Sequence, residues 1–253
     1  MTINSTAVLL LACSAQAQSI RVIKFADSQP FRMGEVTSNR IVHPGIGAKK
    51  TTLNYSVSKP GNEFAQHVHD YSDDTILVLE GEVDLRQGDT KRRFKAGECA
   101  FVPTGQIHGT VTAGTGEAIM ISFQNPPDLI LYTGARDSKR PGAAQPKGDI
   151  TTGAVKYLDY AQKNGPFTNK AMGSHRASGS HRVLMPGAHF NTNVEAEGEQ
   201  VLFVWKGAIR VKDKAGEVYT AGEKDAVFIQ GAAQIEVIAE GSAETHLIQI
   251  EAP

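Results

Sequence analysis

The chain has 253 residues, of which 40% are hydrophobic and 21% are charged, proportions typical of a soluble globular protein. Its 26 basic and 27 acidic residues give a net charge of -1, which excludes the strongly basic balance of proteins that bind nucleic acid through bulk charge. The length accommodates one large all-β domain or two domains of ordinary size. We therefore expect a small-molecule partner, no nucleic acid and no membrane span.

The first predicted element is an export signal. Residues 7–13 are apolar and are followed by an A-x-A cleavage pattern before Gln18, so residues 1–17 are predicted to be a signal peptide. The apolar run is too short to span a bilayer. Two alternatives stay open: a lipobox that leaves Cys13 as a lipidated N-terminus, or an ordinary first strand or disordered tail. The expected localisation is secreted or periplasmic if the signal is real, and cytoplasmic otherwise.

Most of the remaining chain consists of short β-type runs separated by Gly, Pro, Asp and Asn, and helical periodicity is scarce. The predicted strands are 51–58, 75–85, 99–103, 117–123, 201–211, 226–230, 235–239 and 246–250. Residues 126–148 have the composition of a connector, and residues 151–162 predict a short helix or an extra strand. The spacing of the strands is typical of an antiparallel sandwich or barrel.

A cluster of metal-ligating residue types lies in the first half. His67 and His69 are two residues apart, so on a β-strand both imidazoles leave the same face. Asp74 follows at the start of the next predicted strand, and His108 follows a Pro-x-Gly turn. Three imidazoles and one carboxylate, without thiolates, suit one divalent transition metal ion: Fe, Mn, Ni, Zn or Cu. The alternative is that these are structural polar residues of a protein that binds no metal.

The chain also repeats itself. Glycine-centred segments recur at offsets of 126 or 125 residues, namely Gly61 with Gly187, Gly81 with Gly207, and Gly97 with Gly222. Three anchors at nearly one offset predict two tandem copies of one β-fold.

The first copy resembles the cupin superfamily. Its first motif is matched by Gly61, His67, His69 and Gly81, with Asp74 in the place of the usual Glu, and its second motif by Gly97, Pro103, Gly105 and His108. The resemblance implies an all-β fold of two tandem cupin-type jelly-roll β-barrels with few short helices. It also selects His67, His69, Asp74 and His108 as the metal ligands. Since Asp is shorter than Glu, Asp74 has a second reading as a residue that holds a histidine tautomer beside a three-histidine site.

The repeat and the resemblance together divide the chain. We predict an N-terminal cupin barrel with the metal site at residues 18–135, a linker at 136–150 and a degenerate C-terminal cupin barrel at 151–253. In the second copy, the ligand positions hold Asn193, Glu195 and Gln200, so the metal is predicted only in the first barrel. Exposed barrel edges in bicupins commonly pair between subunits, which predicts a homodimer.

The resemblance implies a metal-dependent enzyme that acts on a small oxygenated organic substrate, with dioxygenase-type chemistry as the first hypothesis. A metal-dependent lyase, isomerase or decarboxylase of the same fold is the alternative, as is a non-enzymatic small-molecule or sugar-binding bicupin. Tyr55, Tyr71 and Gln106 lie near the ligands in sequence and are the candidate catalytic residues. Each has the alternative of packing in the core or at the rim.

Overall fold

The computed structural model describes residues 19–162 and 165–253, so the predicted signal peptide lies outside the described residues. Within them are 21 strands, four short 3₁₀ helices and no α-helix. The predicted all-β fold class is confirmed. None of the helices in these two ranges has the length and apolar character needed to cross a bilayer.

In the first half of the chain the strands are β1 (Ser19–Ile23), β2 (Gln29–Met33), β3 (Val36–Val42), β4 (Leu53–Ser58), β5 (Glu63–His67), β6 (Asp73–Glu80), β7 (Glu82–Gln87), β8 (Thr90–Lys95), β9 (Glu98–Val102), β10 (His108–Thr112) and β11 (Ala118–Asn125). In the second half they are β12 (Lys156–Asp159), β13 (Gly165–Thr168), β14 (Ser178–Leu184), β15 (His189–Val194), β16 (Glu199–Lys206), β17 (Ala208–Asp213), β18 (Val218–Ala221), β19 (Ala226–Gln230), β20 (Ala233–Glu240) and β21 (Thr245–Ala252). The 3₁₀ helices are Phe25–Asp27, Pro44–Ile46, Leu131–Thr133 and Lys170–Met172.

These strands form two barrels, each from a large and a small antiparallel sheet. The N-terminal barrel has a seven-stranded sheet in the order β12-β9-β6-β11-β4-β3-β2 and a four-stranded sheet in the order β5-β10-β7-β8. The C-terminal barrel has a six-stranded sheet, β1-β19-β16-β21-β14-β13, and a four-stranded sheet, β15-β20-β17-β18. The predicted repeat is seen in the two small sheets, whose strand orders correspond: β5-β10-β7-β8 in the N-terminal barrel and β15-β20-β17-β18 in the C-terminal barrel.

Two predicted strands are hairpins in the structure. The run 75–85 is broken at Gly81 (φ 75°) between β6 and β7, and the run 201–211 is broken at Gly207 (φ 83°) between β16 and β17. A Cβ atom at Gly81 would lie 2.5 Å from the carbonyl oxygen of Glu117. Both positions therefore need glycine, because the backbone is left-handed and the space beside it is taken.

Strand pairing crosses between the two halves of the chain twice. β1 pairs with β19 in the C-terminal barrel, and β12 pairs with β9 in the N-terminal barrel. Residues 151–162 thus supply an extra strand, one of the two options from the sequence. The domain boundaries at residues 18–135, 136–150 and 151–253 stay a prediction. β1 and β12 each pair with a strand that lies on the other side of those boundaries.

Apolar side chains form three main clusters. One fills the interior of the N-terminal barrel around Ile76, Val83 and Phe94, and a second fills the C-terminal barrel. The third lies between the large sheets and includes Tyr55, Phe123, Phe203 and Phe228. Because side chains alternate along a strand, one face of β4 and β11 packs into this third cluster while the other faces the interior of the N-terminal barrel.

Candidate metal centre

The four predicted metal ligands converge in the N-terminal barrel. His67 ends β5, and its Cα pairs directly with that of His108, the first residue of β10. The register of this pair shifts between His108 and Thr110, a bulge that turns both imidazoles into the barrel. His69 lies just beyond β5, and Asp74 enters from β6. All four side chains are buried.

Each imidazole is fixed through its Nδ1 atom. His67 Nδ1 lies 2.9 Å from the carbonyl oxygen of Ala65, and His108 Nδ1 lies 3.0 Å from that of Gln106. His69 Nδ1 lies 2.7 Å from Asp128 Oδ2. Since all three partners are acceptors, each Nδ1 donates a hydrogen bond, and each Nε2 is left with a lone pair for a cation.

The three Nε2 atoms and one Asp74 oxygen lie within 4.8 Å of one another. Nε2 of His67 is 3.2 Å from Nε2 of His69, and Asp74 Oδ2 is 3.6 Å from Nε2 of His69 and 3.4 Å from Nε2 of His108. Ligand bonds of about 2.0–2.2 Å place neighbouring donor atoms at about these separations. The Asp74 side chain, although shorter than that of Glu, thus places Oδ2 beside the Nε2 atoms of His69 and His108.

The charges in the cluster favour a cation at its centre. Burial, followed by the neighbouring His108 and His69, holds the pKa of His67 well below its ordinary value. Burial also acts to lower the pKa of His69, but the hydrogen bonds with Asp128 and Asp74 outweigh it and raise that pKa. Burial acts to raise the pKa of Asp74, yet the bonds with His108 and His69 lower it well below the ordinary value. The ionised carboxylate of Asp74 thus lies in the same cluster as the neutral imidazole of His67.

A further observation concerns Asp74 itself. Its Oδ1 atom is buried and makes no hydrogen bond with any described residue. A buried carboxylate oxygen without a partner is costly, and coordination to a cation would remove that cost. The donor set and this oxygen both fit a bound ion, so His67, His69, Asp74 and His108 form a candidate metal site with which a single divalent metal is consistent.

Sequence reasoning missed Asp128 and Arg136. Asp128 Oδ2 accepts hydrogen bonds from His69 Nδ1 and, at 3.0 Å, from Arg136 Nε. Arg136 also reaches Asp70 at 2.9 Å. Burial acts to raise the pKa of Asp128, but His69 and Arg136 lower it to about 2. Both residues lie in the segment 126–148, predicted to be a connector, where no motif spacing marks them.

A small cavity of about 30 Å³ adjoins the ligands. It has room for water or a few non-hydrogen atoms. His67, Asp74 and His108 form one part of its wall, and apolar side chains form another, among them Phe31, Phe64, Ile76, Met120 and Leu131. Leu131 comes from the connector segment, so the connector helps to close the barrel mouth.

The structure does not bring the three candidate catalytic residues to this cavity. Tyr55 lies on the opposite face of β4, where its ring packs 5.1 Å from Phe25 in the cluster between the barrels. Tyr71 is 79% exposed. Gln106 is buried, but its side-chain oxygen accepts a hydrogen bond of 2.9 Å from the backbone N–H of Thr151. Its contribution to the site is its backbone carbonyl oxygen, which accepts a hydrogen bond from His108 Nδ1. Catalytic roles for these residues stay predictions that their placement does not favour.

The C-terminal barrel differs at the corresponding strands. β15 and β20 pair in continuous register from His189 to Val194, without the bulge seen between β5 and β10. Asn193, the counterpart of His67, is consequently exposed, while Thr192 and Val194 are more buried. Gln200, the counterpart of Asp74, is buried and bonds with Thr192 and Glu251.

Comparison with known proteins agrees with this architecture. Residues 54–123 match the family model of the cupin domain. The chain is 27% identical over 136 residues to the tetracenomycin polyketide synthase protein TcmJ of Streptomyces glaucescens, covering 53% of this chain and 90% of that protein. Protein SchB of Streptomyces halstedii is 24% identical over 139 residues, covering 53% of this chain and 98% of SchB.

Solved structures resemble the whole arrangement. A variant of oxalate decarboxylase from Bacillus subtilis superposes with a TM-score of 0.68 at 13% identity, covering 90% of this chain and 76% of that chain. AerE from Microcystis aeruginosa gives a TM-score of 0.62 at 14% identity, covering 89% of this chain and 97% of AerE. A second structure of that oxalate decarboxylase, described by its Mn(II) centres, superposes with a TM-score of 0.66 at 12% identity, covering 90% of this chain and 76% of that chain. At these identities the likeness shows the fold alone, and it confirms the predicted pair of cupin-type barrels.

Proposed function

We propose that this chain, whose residues 54–123 match the family model of the cupin domain, is a metal-dependent enzyme that acts on a small oxygenated organic substrate. One observation carries the proposal. Three imidazoles, each fixed through Nδ1, present Nε2 toward one carboxylate oxygen beside a small cavity. Such a preorganised donor set next to a cavity is typical of metal sites that perform chemistry.

The chain's own residues have separable tasks in this proposal. His67, His69, His108 and Asp74 would hold the ion, and Asp128 would keep His69 in the required tautomer. The apolar wall around the cavity excludes bulk water and so strengthens every electrostatic interaction inside it. A bound transition metal would supply Lewis-acid polarisation of a substrate oxygen or activation of dioxygen.

Dioxygenase-type oxidation is the first form of this proposal. The nitrogen and carboxylate donors suit redox-active ions such as Fe, Mn, Ni or Cu as well as Zn. The relative TcmJ is named as a polyketide synthase protein, and polyketides are rich in carbonyl and hydroxyl oxygen. A metal-dependent lyase, isomerase or decarboxylase would use the same site, and the shared fold with oxalate decarboxylase keeps the last of these as the second candidate.

Elemental analysis of the purified protein tests the proposal. We expect about one transition metal ion per chain in the wild type and a large loss in a His67→Ala variant. His175→Ala removes an exposed histidine and is the matched control, which should keep the metal. Negligible metal in the wild type after incubation with each candidate ion would reject a metalloenzyme and favour a small-molecule or sugar-binding protein. Oxygen uptake by the loaded protein with hydroxylated substrates would then separate oxidation from the other reactions.

Two further expectations from the sequence remain proposals. Export would make the mature chain begin at Gln18, which intact-mass measurement on protein from the native host would show. A homodimer through barrel edges would appear as a doubled mass in sedimentation equilibrium. The oxidoreductase assignment depends on the oxygen-uptake result.

A further inference from the structure

Two buried amide side chains line the cavity without complete hydrogen bonding. Asn54 is 2% exposed and Gln124 is 1% exposed, and both contribute to the cavity wall. Among the described residues, neither Nδ2 of Asn54 nor Oε1 of Gln124 has a hydrogen-bond partner. Oδ1 of Asn54 accepts a bond of 3.3 Å from the hydroxyl of Tyr132. The residues of the cavity wall thus contain one buried donor and one buried acceptor without a partner among the described residues.

The register of the seven-stranded sheet places these amides next to the candidate metal ligands. Gln124 on β11 pairs directly with Asp74 on β6, so the two side chains leave the same face about 5 Å apart at Cβ. Asn54 on β4 pairs with Ser122 on β11, two residues from Gln124 and on the same face. A ligand at an open position of the metal would therefore lie beside both amides.

The charge of the cavity wall restricts the ligand. Among the described residues that line the cavity, the charged or chargeable groups are His67, Asp74 and His108, and none is Lys or Arg. A dicarboxylate would have no counter-charge other than the ion itself. The apolar side chains opposite, including Phe64 and Leu131, suit a largely uncharged body.

We propose that Asn54 and Gln124 form a recognition site for an uncharged substrate that carries both a carbonyl and a hydroxyl group, such as a hydroxyketone. Asn54 Nδ2 donates to the carbonyl, and Gln124 Oε1 accepts from the hydroxyl. The inference rests on the proposed function, because it assigns the substrate class of the same site. A purely structural role for the amides would instead require protein partners for these atoms.

Substrate recognition by the two amides and a purely structural role predict opposite results when each amide is replaced by an apolar side chain of similar shape. A buried polar group without a partner destabilises the folded state, so Gln124→Met should leave the melting temperature unchanged or raise it. Asn54→Leu also removes the acceptor of the 3.3 Å bond from the Tyr132 hydroxyl and should lower the melting temperature slightly. The same variants should bind a hydroxyketone about tenfold more weakly, the typical effect of one lost hydrogen bond. Ser58→Ala is the control: Ser58 is buried on β4, bonds with Thr112 at 2.6 Å and does not line the cavity.

The probe is hydroxyacetone, with oxalate as the charged comparison. Relaxation of the hydroxyacetone methyl protons by the Mn(II)-loaded protein gives the affinity for hydroxyacetone, and displacement of hydroxyacetone by oxalate gives the affinity for oxalate. Thermal stabilisation of the metal-free protein gives a second measure. We expect weaker hydroxyacetone binding in both amide variants, wild-type binding in Ser58→Ala and wild-type metal content throughout. Unchanged affinity with a lower melting temperature would overturn the proposal, as would loss of metal from Gln124→Met or tighter binding of oxalate to the metal-loaded wild type. Failure of the wild type to bind Mn(II) would count against the metal site alone, since the metal-free measurement still tests the amides.

Discussion

Asp128 and His69 are 59 residues apart in the chain, yet the Asp128 carboxylate and the His69 imidazole are joined by a buried hydrogen bond of 2.7 Å. The carboxylate comes from the segment that follows β11, and the histidine lies just beyond the end of β5. The orientation of a candidate metal ligand therefore depends on a residue outside the motif that identifies the ligands.

The first prediction concerns this bond. Asp128→Asn keeps the shape of the side chain but removes its charge, so it should weaken metal binding roughly 10- to 100-fold, as loss of partners behind ligating histidines typically does. Competition with a calibrated chelator measures the effect. Asp70→Asn, which alters the exposed partner on the other side of Arg136, should change the affinity little. Equal affinities in the wild type and Asp128→Asn would show that the bond does not position His69.

The second prediction decides between the two readings of Asp74. If Asp74 coordinates the ion, Asp74→Asn should lower metal affinity by at least about 100-fold, beyond the usual effect of an outer partner. Asp73→Asn is the matched control, because Asp73 bonds with Thr104 instead of the cluster. A modest loss in Asp74→Asn, similar to that in Asp128→Asn, would support a three-histidine site.

The third prediction concerns the contact between the barrels at Glu199. This buried carboxylate accepts hydrogen bonds from the backbone N–H groups of Lys49, Lys50 and Thr51 and from the Gln230 side chain. Glu199→Gln turns one acceptor into a donor that faces other donors, and should lower the free energy of unfolding by about 2–3 kcal/mol. Urea denaturation measures it. Glu197→Gln changes an exposed neighbour and should leave the midpoint in place.

The fourth prediction is a pH dependence of stability. Burial, helped by the adjacent His246, lowers the pKa of His181 from its usual 6.5 to about 4. Between these values the unfolded chain binds a proton that the folded chain does not, so stability falls as the pH falls through this window. The half-buried position of His181 limits the loss to about 1–3 kcal/mol.

Urea denaturation at pH 7 and pH 4.5, with a chelator present, measures this dependence for the wild type and for His181→Gln. The variant should lose less stability than the wild type on acidification. His175→Gln, at an exposed position, should behave as the wild type does. The same pH response in all three proteins would assign the effect to other groups.

The predictions that were confirmed came from the spacing of residues that are close in sequence. The glycine repeat predicted two barrels, and the ligand motif predicted that His67, His69, Asp74 and His108 lie close together, as they do in the structure. Both predictions rest on strand alternation and tight turns, which depend on neighbouring residues. Tyr55 lies on the predicted strand, but its side chain leaves the face opposite to Asn54 and Ser56, which line the cavity. Side chains alternate along a strand, so Tyr55 cannot share the cavity with these two neighbours. Asp128 could not be found this way, since its role depends on how the segment after β11 folds back over the barrel mouth.

The crossing of β1 and β12 has a consequence for how the protein can be divided. A fragment that ends near residue 135 would lack β12, which pairs with β9. The same fragment would contain β1 without its partner β19. Each fragment would expose unpaired backbone along a sheet edge and invite association. The two barrels should thus melt in one cooperative transition, and the chain is better regarded as a single folding unit than as two modules in tandem.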